Sequence, residues 1–313
     1  MDLTEIIVKP MEPMAHPQPF DSEDYLFEVK WDGVRMIAFC QNGKVRLQNR
    51  RLRDRTSQYP ELQVLGAVLG LRQCVLDGEV IAMRNGTPSF SRVMERDRCT
   101  DPGRISQYAQ RFPVEFMVFD IIMLDDTDLS ARPLHARKPM LQDLLRGFES
   151  PVHTVDSHQH KGVSLYEATR ANALEGIVAK RIDSPYVQGG KSRHWLKIKH
   201  TRYQCCVVGG YAKGAGGTLS LLAGVYYGES LRYAGRVSSG ISVRDHETFT
   251  WLAKDIGQDT SPFVDLVHAR NVTWLLPALT FVSEFTEWTD DMRMRAPRFK
   301  GFSTAKPTKC VIG

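Results

Sequence analysis

Short runs rich in apolar residues, set off by polar turn signals, recur along the first two hundred residues, and that pattern predicts strands. Residues 25–30, 34–40 and 44–49 read as three strands, the last two joined at Asn42-Gly43, a two-residue hairpin signal. Residues 74–83 form a further strand closed by Asn85-Gly86, and 113–124 is the most apolar strand in the chain. Helical spacing of apolar residues appears at 62–69, 138–148 and 164–173, followed by strands at 176–181 and 194–199. Residues 1–24 carry proline between short apolar pieces and read as an extended arm over the surface of the first domain. Strands separated by turns and irregular helices predict an α+β domain with largely antiparallel sheets and exclude a doubly wound one.

After about residue 203 the pattern shortens. Segments 207–211, 219–227, 231–237 and 279–288 read as strands, with a helix at 245–255 between them. That order predicts a small Greek-key barrel, with the OB-fold the first choice. The boundary falls within 199–204, which gives domains at 1–202 and 203–313. The run Gly209-Gly-Tyr-Ala-Lys-Gly-Ala-Gly-Gly217 lacks the Gly-Lys-Ser/Thr ending and the helix of a phosphate loop, so it reads as a hairpin within the barrel.

Composition narrows the class. A length of 313 residues at 42% hydrophobic content supports two cores. The net charge of +5 suits an anionic partner without requiring one. Six cysteines show neither a Cys-x-x-Cys pair nor zinc spacing, so reduced thiols in a cytosolic protein are expected. The N-terminus has no long apolar run, and neither a signal peptide nor a membrane span is expected.

Five short segments carry the candidate chemistry. Glu28-Val-Lys-Trp-Asp-Gly-Val-Arg35 places Lys30 where a strand enters a turn. Leu76-Asp-Gly-Glu-Val80 and Glu175-Gly-Ile-Val-Ala-Lys180 each place an acid beside an apolar strand. Phe119-Asp120 ends the most apolar strand, and Trp195-Leu-Lys-Ile-Lys199 puts Lys197 and Lys199 on one strand face. Each has a bland reading when taken alone. Lys30 could be a surface lysine before a hairpin, Phe119 a core residue, and Glu79 or Glu175 a surface acid. Arg50, Arg51, Arg53 and Arg55 could be a solvated edge or a phosphate-binding surface.

In this order the segments resemble the covalent nucleotidyltransferases, and within them the ATP-dependent DNA ligases. The wording is closest to the ligase domain of bacterial end-joining DNA ligases. It continues through Arg50, Tyr59-Pro-Glu-Leu62, Val208-Gly-Gly-Tyr211, Tyr233-Ala-Gly-Arg-Val237 and Arg295-Ala-Pro-Arg-Phe-Lys-Gly301, so it covers nearly the whole chain. The sequence departs from those relatives at Asn49, where serine is common, at Val34, where tyrosine is frequent, and in the tail after Gly301.

The resemblance implies a nucleotidyltransferase (adenylation, ATP-grasp-like) domain of antiparallel sheets and helices, with a C-terminal OB-fold β-barrel after it. It also implies three displacements at phosphorus. Lys30 takes AMP from ATP, AMP passes to the 5′-phosphate of a nick, and the 3′-OH then displaces AMP. By the same resemblance Lys197 and Lys199 contact the α-phosphate and Glu175 helps hold Mg²⁺ (Mn²⁺ being an alternative), with Glu79 as the second metal-competent acid. Glu79 and Arg35 fix the ribose, Phe119 stacks on adenine, Glu28 receives the adenine amino group, Arg50 engages the nick phosphate, and Arg295 orients the pyrophosphate. An amine with an ordinary pKa of about 10.4 needs help to act as a nucleophile, and Lys197 and Lys199 are expected to supply cationic neighbours for Lys30. The implied partners are nicked duplex DNA, bacterial Ku and a separate repair polymerase, for a monomer at the bacterial nucleoid. The competing reading is an RNA ligase or mRNA-capping nucleotidyltransferase. A non-catalytic DNA-end scaffold is the reading from another class.

Overall fold

The computed structural model describes residues 2, 3, 5–266 and 269–312, which fall into two compact units divided between Lys199 and His200. The first unit is built on two sheets. One runs in the order Glu12–Ala15, Lys191–Lys199, Gly176–Arg181, Tyr25–Val29, His158–Gln159, antiparallel except for the parallel first pair. The other is centred on Lys44–Asn49, Val34–Gln41, Cys74–Arg84 and Val114–Leu124, all antiparallel.

The strand period decides which residues meet which core. Met36, Ala38 and Cys40 enter a core closed by the helices Val64–Leu69, Phe90–Arg98 and Leu134–Leu144, whereas Ile37 and Phe39 enter a second core with Trp195 and Tyr186. On Lys191–Lys199, Leu196 and Ile198 pack with Phe27 and Tyr166 beside the helix Gly162–Ala171. Their odd-numbered neighbours Trp195, Lys197 and Lys199 therefore share the opposite face. The site is built on that face.

Three expectations change. The arm at 1–24 is not a surface strap, because Leu3, Val8 and Met11 are buried in the second core and Glu12–Ala15 is a sheet strand. Burying those side chains removes apolar surface from water, which a loose arm would leave exposed. The helices Phe90–Arg98 and Pro102–Arg111 lie in a charged stretch that the hydrophobic pattern leaves unassigned. Their signals were local: Asp101 caps the second, accepting from the Arg104 N–H at 2.7 Å, and Pro102 opens it. The helix expected at 138–148 is Leu134–Leu144, which starts directly after Pro133 and continues through Pro139.

The second unit centres on the long strand Arg202–Lys213. It pairs with Thr280–Phe285 through its first half and with Leu219–Tyr227 through its second, so one strand serves both sides of a curved sheet. Ser230–Val237 extends one edge and Arg298–Ser303 the other. A bridge between Ser239 and Arg298 brings those edges together, as barrel closure requires. The glycine-rich run ends in a turn at Ala215–Gly217, with Gly216 and Gly217 at positive φ. The helix Val243–Leu252 starts with a capping box formed by Ser242 and Asp245. All six cysteines are free thiols. No helix among the described residues is long and apolar enough to cross a membrane.

Candidate active site

The two Asp-Gly motifs owe their glycines to close backbone passage. A Cβ on Gly33 would lie 2.1 Å from the Val80 carbonyl oxygen, and one on Gly78 would lie 2.5 Å from the Phe116 ring. Neither position admits a side chain, so the turn after Lys30 passes directly over the strand that carries Glu79, and that strand in turn packs against Val114–Leu124.

Lys30 comes directly after the strand Tyr25–Val29, its N–H donating to the Gly176 carbonyl at 2.9 Å. Its ammonium pairs with Glu175, and the other Glu175 oxygen pairs with Lys199. Burial works to raise the Glu175 carboxyl pKa, but the ammoniums of Lys30 and Lys199 outweigh it and hold the group below its ordinary value. Lys197 is held below its ordinary value by burial, then by Lys199 and Lys30. Glu79 stands across from Arg35 in the sheet register, and burial lifts it to about 7 despite the nearby Lys30 and Arg35. Nearest to Lys30 is thus the carboxylate of Glu175, the acid expected to help hold the metal, which here pairs with the amine directly. A lysine between strands attracts a counter-charge when water is excluded.

Lys30, Arg35, Glu79, Arg50, Lys197 and Lys199 line one cleft of about 670 Å³. Arg50 sits at the tip of a turn that Asn49 fixes, its side-chain oxygen accepting from the N–H groups of Arg51 at 2.9 Å and Arg53 at 3.1 Å. A single oxygen with two acceptor positions thus holds two backbone donors of the turn.

Two of the expected contacts are already committed elsewhere. Arg35 donates from Nε and Nη2 to the two oxygens of buried Asp77, at 2.5 Å each, and from Nη2 to the Met11 carbonyl at 3.2 Å. Tyr186 donates to the same Asp77 at 2.6 Å. Asp77, to which the motif assigned no role, is therefore what fixes Arg35, and ribose contact is left to whatever donors remain. Glu28 is 2% exposed and pairs with Lys138 and Lys180 at 2.6 Å each, one per oxygen, while Ser157 donates at 3.1 Å. Three of roughly four acceptor positions on that carboxylate are used, so it is not the open acceptor that the sequence suggested.

Phe119 lies outside the cleft lining, with the Arg35 guanidinium 4.4 Å and the Lys180 ammonium 4.2 Å from its ring centroid. Both lie within cation–π range, so its ring is engaged by cations where adenine stacking was expected. Sequence reasoning missed the roles of Lys138, Lys180 and Tyr186. Lys180 alone carried a signal, as a charged residue at an inward position of an apolar strand. Arg295 belongs to the second unit, where its guanidinium pairs with Glu287 at 2.6 Å.

The family described as "ATP dependent DNA ligase domain" matches residues 7–199, and the one described as "ATP dependent DNA ligase C terminal region" matches residues 214–306. The chain belongs to the ATP-dependent DNA ligases. This ligase is 32% identical over 299 residues to the multifunctional non-homologous end joining DNA repair protein LigD of Mycobacterium tuberculosis, covering 93% of the chain but 38% of that protein. It is 33% identical over 209 residues to the SPbeta prophage-derived DNA ligase-like protein LigB of Bacillus subtilis, covering 66% of the chain and 73% of LigB. Among solved structures it resembles mycobacterial DNA ligase D complexed with ATP and MES, at 30% identity and a TM-score of 0.58, covering 98% of each chain. An α+β nucleotidyltransferase domain with an OB-fold after it is the architecture of this chain, which spans 38% of the length of the Mycobacterium tuberculosis LigD it matches. The RNA-ligase and capping alternative draws no support from these matches.

Proposed function

We propose that this ligase seals 5′-phosphate/3′-OH nicks in duplex DNA by way of AMP carried on Lys30. The observation that carries the reading is the grouping of Lys30, Lys197, Lys199, Glu79 and Arg50 in one cleft, with Glu175 bridging Lys30 and Lys199. In the first displacement Lys30 Nζ forms a bond to the α-phosphorus of ATP as the bond to pyrophosphate breaks, and the amine loses a proton. In the second, a 5′-phosphate oxygen takes the AMP and frees Lys30. In the third, the 3′-OH attacks that phosphate and AMP leaves. Lys197 and Lys199 neutralise charge developing on the phosphoryl oxygens, the main requirement of such displacements. Arg50 holds the nick phosphate, and Arg295 orients the pyrophosphate during the first step.

The acids fit a magnesium ion shared with nucleotide phosphates. Among the described residues no group of three or more His, Cys, Asp or Glu side chains converges. Magnesium in such sites takes one or two carboxylates and completes its shell with phosphate and water, which Glu175 and Glu79 could provide for. Bound there, the ion would supply Lewis-acid stabilisation of phosphoryl charge. By the resemblance, the acceptor position left on Glu28 would receive the adenine amino group and the Phe119 ring would stack on the base. The names of the relatives support double-strand break repair as the setting. Ku and a separate polymerase would then be the partners of a monomer working in the cytoplasm at the nucleoid.

Intact mass of the purified protein with and without ATP and Mg²⁺, together with peptide mapping, tests the central assignment. An AMP adduct on Lys30 is expected. Labelling by GTP alone, or transfer to nicked RNA and not nicked DNA, would overturn the choice of substrate.

A further inference from the structure

Arg50, the nick-phosphate contact, is already holding an anion. Its Nε and Nη2 both donate to one carboxylate oxygen of Glu12, at 2.8 and 2.6 Å. Among the residues lining the cleft, nine are Lys or Arg and three are Asp or Glu. Of those three, Asp97 is held by Arg55 at 3.3 Å and by the Tyr59 hydroxyl at 3.2 Å, and Glu79 stands beside Arg35 in the sheet. Glu12 differs from both. It meets a guanidinium whose side chain is 65% exposed and is itself 36% exposed, so the pair can open without unpacking anything.

We propose that Glu12 is a surrogate anion on Arg50, displaced when a nucleic-acid phosphate enters the cleft and re-paired when that phosphate leaves, so that it sets how tightly the ligase holds its DNA. Carboxylate and phosphate oxygens both accept charge-assisted hydrogen bonds from a guanidinium, so one can replace the other in place. The backbone of Glu12 does not need to move. Its N–H is bonded to the Gly190 carbonyl at 2.8 Å, and its Cα is in register with Lys191 on the neighbouring strand. Lys191 gives the displaced carboxylate a second cation within the same strand pair. The exchange then conserves ion pairs, and its free energy is small in either direction, as suits a ligase that must release sealed DNA.

The inference rests on the reading of Arg50 as a phosphate contact, and four proteins separate the two. Wild type, Glu12→Gln, Arg50→Ala and the double variant are titrated against a duplex with a 5′-phosphorylated nick at fixed salt, with thermal melting as the folding control. Glu12→Gln should lower the Kd about two- to fivefold, the size expected from an exposed ion pair. It should also lower KM for DNA without raising multiple-turnover kcat, because release slows. In the Arg50→Ala background the same change should have no effect. Weaker or unchanged binding by Glu12→Gln would overturn the proposal, as would an equal gain in the Arg50→Ala background, which would mean a general field effect. If Arg50→Ala alone binds like wild type, the reading of Arg50 fails and takes the proposal with it.

Discussion

Replacing Glu28 by Gln should unfold the first unit at a much lower temperature, because one carboxylate balances two buried ammoniums. The Lys138 and Lys180 side chains are 6% and 3% exposed. Burial works to raise the Glu28 carboxyl, and the two lysines reverse this and hold it below the ordinary carboxylate range. Removing one partner from a buried pair costs about 3–5 kcal/mol, since the charge left behind has neither water nor counter-ion. For a unit of this size each kcal/mol moves Tm by about 2–4 °C, so a drop of roughly 6–20 °C is expected.

The pH dependence sharpens the test. Burial lowers Lys180 to about 8, with Glu28 working to raise it. A lysine whose folded pKa lies below its unfolded value binds fewer protons folded than unfolded between the two, so stability rises with pH across that window. In wild type the window opens near 8. Without Glu28 it opens lower, and the variant regains stability relative to wild type before wild type begins to gain. The Tm deficit measured by circular dichroism should therefore be larger near about pH 6 than near about pH 8.5. A variant melting within about 2 °C of wild type, with only its ATP affinity reduced, would refute the reasoning and return Glu28 to a role in base recognition alone.

Lys30→Ala should yield no AMP adduct by intact mass yet fold normally, because Glu175 keeps Lys199 as a partner; an undiminished adduct would exclude Lys30 as the nucleophile. Arg295→Ala should slow adenylylation of the enzyme while sealing of pre-adenylylated nicked DNA is largely spared, and equal loss in both assays would argue against a role at the leaving group. Asp77→Asn leaves the Arg35 guanidinium, 16% exposed at the cleft, facing a neutral partner, and should cost about 2–3 kcal/mol in urea unfolding, below the figure for a fully buried pair. An unchanged urea midpoint would mean that the Met11 carbonyl and the neutral amide oxygen at position 77 hold Arg35 without that charge.

Strands were legible where the local pattern itself is the packing code. Residues 34–40 read correctly because a strand buried on both faces leaves a short continuous apolar run, and residues 44–49 because the Asn42-Gly43 turn sets them off as the partner strand of a hairpin. The paired Lys197 and Lys199 were legible because alternate residues of a strand share a face. The helix Phe90–Arg98 was not, since its packing relies on Val93 and on the buried Arg96–Glu61 pair, and a buried guanidinium looks in sequence like any surface charge.

The sequence by itself determined the strand faces, the order of the reacting residues and the membership of the ligase family, because spacing along a chain records what one element presents to its neighbours. Only the tertiary structure decided the partners of each charge. That Asp77 holds Arg35, that Glu28 answers to Lys138 and Lys180, and that Glu12 covers Arg50 are contacts between residues 38 to 152 positions apart. A charge carries no mark of its partner, and the pairing is fixed only when the sheets close and water is removed.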